Sequence, residues 1–511
     1  LSHSGGGLGQ GRQHCAALHT LHQRPMLLAL RLILSFCAIC VLPAPAFASA
    51  APDADLVIDH VNLVPMTANL VQADRSVVVR GGLIVAIMDA AAAKRVRAAK
   101  RIDGRGHYLM PGLSDMHVHL RMPTQDFLDL QLAAGVTTVF NMGLANGGGK
   151  VDHLALRAGV AAGRLSGPRY LVSGPQLESG NLKSLEDVQQ ALQDAAKQRY
   201  DAIKIHGDLP ADLYDALITG ARARGIRVRG HAQHFMPLAQ TLRMGCIEHI
   251  EELLYTSLDA QFAEAAHFGQ EADGSIDHFL TAYTQNLTRL QDASYRTRVV
   301  QAVAASGVVW DPTLVIYTML PTYLDDQRFS DLAKDPRLNY LPDSVRLENL
   351  SPDRNEYRAE LAPKFSKFFA SNGDSSGLPA HFDRNVALLL TLIRELHQAG
   401  VPLLAGSDAF GALVPGFALH QELALLVKAG LSPFEALTAA TATPAKYLGE
   451  FDRAGTLEVG KRADFILVGA NPLADIQHAA DVRGVYTQGR WLSAPDLRAR
   501  LRRVARHAAA H

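Results

Sequence analysis

The sequence predicts an α/β fold, a (β/α)₈ barrel of the TIM type with a small β-sandwich domain built from both ends of the chain. Two observations lead to this prediction. Eight short apolar runs alternate with amphipathic helical segments through the middle of the chain, and Val- and Ile-rich segments separated by turns stand at either end. Apolar strands alternating with helices indicate a parallel sheet covered by helices, and eight repeats close into a barrel. An open doubly wound sheet is the alternative, but the sequence has no Gly-rich phosphate loop to support it.

The terminal segments alternate in polarity and are separated by turn residues, as expected of β-structure. The first three are residues 56–64, 76–87 and 101–109, the last with a Gly104-Arg105-Gly106 turn. Strand-and-turn character returns at residues 455–468 and 482–492. We therefore expect residues 51–109 and 447–495 to form one small domain, with the barrel, residues 110–446, inserted between them.

The eight apolar runs of the barrel are short enough for strands. They are residues 113–120, 136–142, 169–174, 202–206, 227–231, 246–250, 308–314 and 402–408. Predicted helices lie at residues 185–199, 211–224, 237–244, 385–399, 419–429 and 434–442. Residues 253–308 and 314–385 are longer than a barrel helix needs. They contain Tyr283, Tyr317, Tyr323, Phe365 and Phe369, and we expect them to shape a substrate pocket or subunit contacts.

Composition excludes several classes of function. The chain has 511 residues, 48% of them hydrophobic and 20% charged, and its formal net charge is zero. Nothing in this balance indicates nucleic acid or an anionic surface as a partner. One basic cluster, Arg498 to Arg506, lies in residues 496–511, which are predicted to be a solvated basic tail.

The N-terminal region has the layout of a secretory signal peptide. Residues 26–50 contain Arg31, an apolar run, a Pro-containing exit and Ala48-Ser49-Ala50 as a cleavage site. The alternative is an uncleaved anchor. Residues 1–25 fit no targeting pattern and are interpreted as an over-extended gene start. We therefore expect a secreted, periplasmic protein with no stable membrane insertion after cleavage.

Cysteine usage agrees with this interpretation of the N-terminus. Cys15, Cys37 and Cys40 precede the predicted cleavage point, and only Cys246 follows it. The mature chain can then form no internal disulfide bond.

The sharpest chemical motif is Asp115-Met116-His117-Val118-His119 at the end of the first predicted barrel strand. Residues two positions apart on a strand point to the same face, so both imidazoles can reach one metal ion.

Further titratable residues end other predicted strands, at the rim where barrel enzymes place catalytic groups. A single histidine there is more often a packed core residue, but a lysine within an apolar strand needs a partner, because an unpaired buried ammonium group is costly. Six such residues on one rim favour a metal site over accidental packing. They are His117, His119, Lys204, His231, His249 and Asp408.

These six residues resemble the metal-site pattern of the amidohydrolase superfamily, in its binuclear, lysine-containing branch. Three further stretches agree: Ile247-Glu248-His249, Gly406-Ser407-Asp408-Ala409 and Gly460-Lys461-Arg462-Ala463-Asp464-Phe465. The resemblance covers the whole mature chain and is greatest to the Xaa-Pro dipeptidase (prolidase-like) and imidazolonepropionase-related group. Imidazolonepropionases and deaminases are typically mononuclear and lack this lysine, so Lys204 favours the peptidase-like side.

The resemblance implies a role for each residue. His117, His119 and Asp408 would bind a first divalent metal ion, and His231 and His249 a second. Lys204, carboxylated to N6-carboxylysine, would bridge the two. Zinc suits such donors, with manganese or cobalt as alternatives. Asp408 would also be the catalytic residue, the general base and acid that transfers a proton from the attacking hydroxide to the leaving amine.

Other residues are weaker candidates. His206 shares a strand face with Lys204, Asn141 follows the second strand and Tyr255 the sixth, so each is a candidate substrate contact. Arg229 is interpreted as an ion-pair partner rather than a carboxylate clamp.

The predicted function is hydrolysis of an amide or peptide-like C–N bond in a small molecule, either a dipeptide or an N-acyl amino acid. One alternative keeps the site and changes the bond, to that of a lactone, an organophosphate or a cyclic amide. A second alternative is a catalytically inactive periplasmic metal- or solute-binding protein, and a third is a mononuclear deaminase. The sequence leaves oligomeric state open and is compatible with a homo-oligomer, of which dimers are the commonest.

Overall fold

The structure is a computed structural model that describes residues 53–143, 151–234, 236–258 and 277–510. The predicted signal segment, the residues before it and Cys15, Cys37 and Cys40 lie outside the described residues. Pro52–His511 form one compact unit. No helix in the described ranges is both long and apolar enough to span a membrane.

Strands from both ends of the compact unit share one mixed sheet. They are β1 (Ala54–Leu63), β2 (Gln72–Arg80), β3 (Leu83–Asp89), β4 (Ala98–Asp103), β5 (Tyr108–Pro111), β13 (Phe465–Val468), β14 (Val482–Thr487) and β15 (Arg490–Ser493). The strand order is β15-β14-β13-β5-β1-β2-β3, and β4 also pairs with β1. Strand β1 is long enough to pair with β4 along its first half and with β5 along its second. Apolar side chains from both ends, including Ile58, Val77 and Phe465, form one core.

The segment predicted as a single strand at residues 76–87 is a hairpin. Gly81 and Gly82 connect β2 to β3, and both have positive φ angles, 58° and 74°. A two-residue turn with both central φ angles positive matches the right-handed twist of paired strands, and glycine adopts it without steric cost. Val, Leu and Ile residues lie on both sides of the turn, which explains why the pattern suggested one strand.

Seven parallel strands form the barrel in sequence order, β6 to β12. They are β6 (Leu113–Val118), β7 (Val136–Asn141), β8 (Arg169–Leu177), β9 (Ala202–Ile205), β10 (Val228–Gly230), β11 (Cys246–Glu248) and β12 (Val309–Asp311). Every residue of β6 and β7 is buried, because helices cover the outer face and side chains fill the interior.

The eighth predicted strand lies in the gap between β12 and β6. The amide of Leu404 donates to the carbonyl of Trp310 at 2.8 Å, and the amide of Met116 donates to the carbonyl of Ala405 at 3.0 Å. This segment therefore joins the last strand to the first through a few hydrogen bonds. The observed fold is the predicted TIM-like barrel with a small sheet domain from the two ends of the unit.

Helices connect and cover the strands. They are Ala90–Ala93, Thr124–Ala133, His153–Ala161, Leu185–Gln198, Ala211–Ala223, Leu238–Thr241, Asp277–Gln291, Ala293–Ser306, Leu314–Tyr317, Met319–Leu324, Asp326–Leu332, Asp343–Leu350, Ala362–Ser371, Leu378–Gln398, Phe417–Ala429, Pro433–Ala439, Ala442–Tyr447 and Ala494–Ala508. Short 3₁₀ helices occur at Ile250–Leu254, Pro336–Tyr340 and Ile476–Ala480, and a π-helical turn at Tyr357–Leu361. The helix predicted at residues 385–399 begins seven residues earlier, after Gly377, and the one predicted at residues 237–244 is a single turn.

The prediction of a solvated C-terminal tail is wrong. Ala494–Ala508 is a helix that begins with a capping box between Ser493 and Asp496. Its Arg500 and Arg503 both form ion pairs with the buried Asp129 on the barrel helix Thr124–Ala133, and Val504 is fully buried. Apolar residues at helical spacing alternate with the arginines, so one face of this basic segment packs on the protein.

Candidate metal centre

The two histidines of the first barrel strand lie side by side. His117 lies within β6 and His119 follows it directly, and their Nε2 atoms are 3.3 Å apart. His119 Nδ1 is 2.8 Å from the carbonyl oxygen of Gly143. Because a carbonyl only accepts, Nδ1 of His119 carries the proton and donates it. The lone pair of Nε2 then faces His117 and is available to a metal ion.

Asp408 completes a group of three possible ligands. Its Oδ1 atom lies 3.6 Å from Nε2 of His117 and 3.4 Å from Nε2 of His119. Donors about 2.0–2.1 Å from a tetrahedral zinc ion are separated by about 3.4 Å, so the three distances fit one such ion. Oδ1 of Asp408 is buried and accepts no hydrogen bond from the described residues. Burial of an unpaired carboxylate oxygen is costly, and a cation between the three atoms would remove that cost.

The Gly406-Ser407-Asp408 stretch positions this carboxylate. Buried Asp115 accepts hydrogen bonds from the Ser407 amide at 2.8 Å and from its hydroxyl at 2.6 Å. The amide of Asp408 donates to the carbonyl of His117 at 2.7 Å. A Cβ atom on Gly406 would lie 2.6 Å from Cβ of His117 and from Oδ1 of Asp311, so only glycine fits there. Asp408 itself has φ of 40°, a strained value for a residue with a side chain.

The second predicted group lies against the first. The rings of His117 and His249 are 4.9 Å apart between centroids, and those of His249 and His231 are 4.5 Å apart. His249 Nδ1 lies 2.6 Å from the Thr313 hydroxyl, and His231 Nδ1 lies 3.0 Å from Oε1 of Glu252. The structure therefore brings the predicted histidines together on one rim of the barrel.

Lys204 has a partner that sequence reasoning missed. Its Nζ atom contacts the carboxylate of Glu248, and both side chains are fully buried. Glu248 also contacts Nε of Arg229, and its Oε2 lies 2.9 Å from Nδ1 of His117. Burial alone would raise the pKa of Glu248, but Lys204, His117 and Arg229 together hold it well below its ordinary value. One sign of this partner was present in the sequence: Glu248 lies in the sixth predicted strand, directly before His249.

Arg229 is an ion-pair partner, as predicted. Its guanidinium group binds Glu248 and also Oδ2 of Asp311 at 2.8 Å, and it lies 4.8 Å from the centroid of the Phe140 ring. Lys204, Arg229, Glu248 and Asp311 form a buried cluster of two cations and two carboxyl groups, which we call the four-charge cluster.

Burial sets the protonation of the histidines. It lowers the pKa of His119 and His249 to about 3, with Lys204 contributing in the same direction. It likewise places the pKa of His117 and His231 well below the ordinary value. Neutral imidazole is the form that binds a metal ion. Burial raises the pKa of Asp408 to about 8, and a bound cation would favour its ionised form.

Glu252, His234 and Asp208 form a chain of polar contacts that begins at His231. Glu252 contacts His231 through one oxygen and Nε2 of His234 through the other, at 2.7 Å. Asp208 lies 3.1 Å from Nδ1 of His234. Burial opposes the charged imidazole, but Glu252 and Asp208 outweigh it and raise the pKa of His234 to about 10. His234 lies in the loop after β10 and is buried.

Residues 108–492 match the model of the amidohydrolase family. The chain belongs to this family. A segment of 98 residues is 37% identical to an adenine deaminase from Geobacillus kaustophilus, and covers 18% of this chain and 16% of the relative. A segment of 135 residues is 30% identical to an imidazolonepropionase from Aeromonas hydrophila subsp. hydrophila, and covers 26% of this chain and 32% of the relative. The chain thus matches less than a third of the length of either relative.

Solved structures resemble this amidohydrolase over most of its length. One is a Xaa-Pro dipeptidase with methionine bound in the active site; it is 19% identical with a TM-score of 0.58, and the match covers 86% of this chain and all of that one. Another is a bottromycin amidohydrolase; it is 23% identical with a TM-score of 0.61, and the match covers 88% and 90% of the two chains. At these identities the likeness establishes the fold.

A large cavity opens onto the candidate metal centre of this amidohydrolase-family protein. Its volume is about 1070 Å³, and its wall includes His117, His119, His231, His249 and Asp408. It also includes all five aromatic residues that the sequence placed in the two long segments: Tyr283, Tyr317, Tyr323, Phe365 and Phe369. The long segments therefore shape the pocket.

The candidate substrate contacts differ in position. His206 and Tyr255 line the cavity, and the His206 side chain is 42% exposed, with its ring 4.9 Å from that of His231. Asn141 is fully buried and is not among the described lining residues, so its position contradicts a substrate contact. Its side-chain oxygen accepts from the amide of Gly143 at 3.0 Å. Asn141 thereby fixes the turn whose carbonyl orients His119.

Proposed function

We propose that this protein is a metal-dependent hydrolase that cleaves the amide or peptide-like C–N bond of a small substrate, a dipeptide or an N-acyl amino acid. The observation that supports it most is the convergence of His117, His119 and Asp408. Their ligand atoms are 3.3–3.6 Å apart at the wall of a substrate-sized cavity. Membership of the amidohydrolase family and the Xaa-Pro dipeptidase fold neighbour agree with this chemistry.

In this proposal His117, His119 and Asp408 hold a first divalent cation. His231, His249 and a carboxylated Lys204 hold a second, with zinc favoured by the donor set. The imidazoles around Lys204 have lowered pKa values and face the same rim. When bound, two such ions lower the pKa of water and polarise a carbonyl group.

The chain's own residues then manage the proton and the geometry. A water oxygen forms a bond to the carbonyl carbon, the C–N bond breaks, and the products are a carboxylic acid and an amine. The Asp408 carboxylate lies beside the two histidines, so in this proposal it accepts the proton of the water and returns it to the leaving nitrogen. The His119–Gly143 and Asp115–Ser407 hydrogen bonds keep these groups in place.

A second candidate, a mononuclear deaminase, is favoured by the Lys204–Glu248 ion pair. A lysine amine held by a carboxylate is not a metal ligand, and in that form His117, His119 and Asp408 remain as a single-ion site. The adenine deaminase relative agrees with this alternative over its short aligned segment.

Metal content separates the two candidates. The purified protein and a Lys204→Ala variant are analysed for metal ions per chain after incubation with zinc and bicarbonate. Lys461→Ala is the matched control, since Lys461 is also buried but pairs with Glu458, away from the site. We expect two ions per chain in the wild type and in Lys461→Ala, and a loss in Lys204→Ala. One ion in all three proteins refutes the binuclear site and supports the deaminase.

Substrate panels test the bond. We expect turnover of dipeptides or N-acyl amino acids that disappears on dialysis against a chelator and returns with zinc. Turnover confined to lactones, organophosphates or cyclic amides contradicts the amide proposal but keeps the site. Tight metal binding with no turnover on any panel supports a binding protein.

Location and assembly belong to the same proposal. We propose that residues 26–50 direct export to the periplasm and are removed after Ala50. N-terminal sequencing of the protein released from the periplasm tests this, and a mature chain that retains residues 26–50 refutes cleavage. Light scattering of the purified protein determines whether it forms the homo-oligomer that the sequence allows.

A further inference from the structure

The cavity lining contains two chemically different sets of side chains. The candidate metal ligands and several acidic residues form one set, and aromatic and aliphatic side chains form the other. Nine of the 35 described lining residues are Phe or Tyr, whereas these two types and Trp make up 6% of the chain. This fourfold enrichment concentrates aromatic rings at one place. We call the following group of aromatic lining residues the aromatic lobe: Tyr283, Tyr317, Tyr323, Phe365, Phe369 and Phe382.

The tyrosines of the lobe present rings rather than hydroxyl groups to a ligand. The hydroxyls of Tyr283 and Tyr317 are 3.4 Å apart, and both contact the side-chain amide of Asn385. The Tyr323 hydroxyl accepts from the amide of Ala412 at 3.1 Å. These hydroxyls are already hydrogen-bonded within the protein, so the lobe offers apolar ring surface.

The rings also support one another. Phe365 packs 5.9 Å from Phe382 and 6.3 Å from Phe369, and Phe382 packs 6.1 Å from Tyr317. Such spacings are those of edge-to-face and offset aromatic pairs. Tyr317, Phe369 and Phe382 are at most 5% exposed, so the wall is fixed by packing before a ligand arrives.

The volume of the cavity also favours a large hydrophobic ligand. Pockets for drug-sized ligands have volumes of about 300–1,000 Å³, and this cavity of about 1070 Å³ is slightly larger. A dipeptide of small residues would leave much of this volume filled with water. A hydrophobic group that fills the lobe would displace that water and gain about 25 cal/mol for each Å² of apolar surface buried.

We propose that the substrate carries a large hydrophobic group, aromatic by preference, on one side of the scissile amide bond, and that this group binds in the aromatic lobe. The substrate class is then an N-arylacyl or N-long-chain-acyl amino acid, or its mirror arrangement with the bulky group on the amine. The identity of the cleaved bond in this proposal rests on the proposed function. The hydrophobic character of the bound group rests on the aromatic lobe alone.

A homologous substrate series tests selectivity. The metal-loaded enzyme is assayed with N-acetyl-, N-hexanoyl-, N-decanoyl- and N-(4-phenylbutanoyl)-alanine. We expect kcat/KM to rise up to about fourfold per added methylene, the factor for burying one CH₂ group, until the lobe is full. A flat or falling series, repeated with the bulky group on the amine, overturns the proposal.

A binding assay separates this inference from the proposed function. Metal-free protein is titrated calorimetrically with acetate, decanoate and 4-phenylbutyrate, which need no hydrolysis. We expect binding of the two hydrophobic acids and none of acetate. If no amide is hydrolysed but this preference is observed, the proposed function fails and the lobe assignment stands.

Variants locate the binding. Phe365→Ala removes a half-buried ring from the lobe, and Phe434→Ala removes an equally half-buried ring that is absent from the described lining residues. We expect Phe365→Ala to weaken 4-phenylbutyrate binding about three- to tenfold, the range for a lost aromatic pair, and Phe434→Ala to leave it unchanged. Equal affinities for acetate and 4-phenylbutyrate, or equal losses in the two variants, overturn the proposal.

Discussion

The four-charge cluster gives a prediction about stability. Glu248 is the carboxylate that contacts both Lys204 and Arg229, and no other ion pair to Lys204 occurs in the described ranges. Glu248→Gln keeps the shape of the side chain and removes its charge. Within the described residues, Asp311 then remains as the one carboxyl group of the cluster, and its printed ion pair is with Arg229 rather than Lys204. Lys204 loses its counter-charge in a site that water does not reach.

Removing one partner of a buried ion pair costs about 3–5 kcal/mol, because the remaining charge is left uncompensated. We expect Glu248→Gln to lower the free energy of unfolding of the metal-free protein by that amount. The measurement is guanidinium chloride unfolding at pH 7 in chelator, followed by circular dichroism.

Glu422→Gln is the matched control. Glu422 is as buried as Glu248, but burial raises its pKa to about 8, so most of it is already neutral at pH 7. Its carboxyl group accepts from the amide of Val315 at 2.8 Å, which a glutamine oxygen can also do. We expect a cost below about 1 kcal/mol, the net value of a typical hydrogen bond. Equal costs for the two variants would falsify the assignment of Lys204 as a buried ammonium group in the metal-free protein.

Three further predictions follow from the site and the fold. Asp408→Asn should lower kcat about 10²–10⁴-fold, the range for general acid–base catalysis, in steady-state assays of whichever amide is turned over; unchanged kcat contradicts the role of Asp408. Gly406→Ala should weaken zinc binding in a competitive titration, because its Cβ would lie 2.6 Å from Cβ of His117. Gly245→Ala is the control and should leave zinc binding unchanged, because its Cβ would lie 3.4 Å from the nearest atom. Equal zinc affinities of the two variants refute this steric argument. Val504→Ala should cost about 2 kcal/mol in denaturant unfolding through lost burial and a small cavity, and the exposed Arg502→Ala less than about 0.5 kcal/mol; equal small costs mean the C-terminal helix is not packed.

The barrel was predictable because its signal is local and repeated. Apolar strands of three to nine residues alternate with helices, and residues that end a parallel strand share one rim. The same rule places His117, His119, His249 and Asp408 together from the sequence alone. It also indicated which long segments shape the pocket, since segments on the loop side of a barrel do so in general.

The remaining features depend on packing between distant residues. The partner of Lys204 is Glu248, 44 positions away, and an acidic residue next to a predicted ligand gives no sign of which cation it faces. Arg500 pairs with Asp129, which is 371 positions away in the sequence. Because this partner is so distant, the basic C-terminal segment was predicted to be a solvated tail although one of its faces is buried. Asn141 lies at the end of its strand, where a substrate contact would be expected. Its side-chain oxygen instead accepts a hydrogen bond from the amide of Gly143 in the neighbouring turn.

The candidate metal centre can be completed only after the eighth strand segment has been synthesised. The hydrogen bonds between Ser407 and Asp115 hold Asp408 beside His117, and these two residues are 292 positions apart. The eighth strand segment, which contains Ser407 and Asp408, is the last barrel segment along the chain. A growing chain therefore presents the two histidines without their carboxylate, and any affinity for metal would be that of an incomplete site. Full metal binding would report that the barrel has closed. By linkage, an ion bound there would stabilise the contact between the first and eighth strands, which includes the hydrogen bonds from Met116 to Ala405 and from Asp408 to His117.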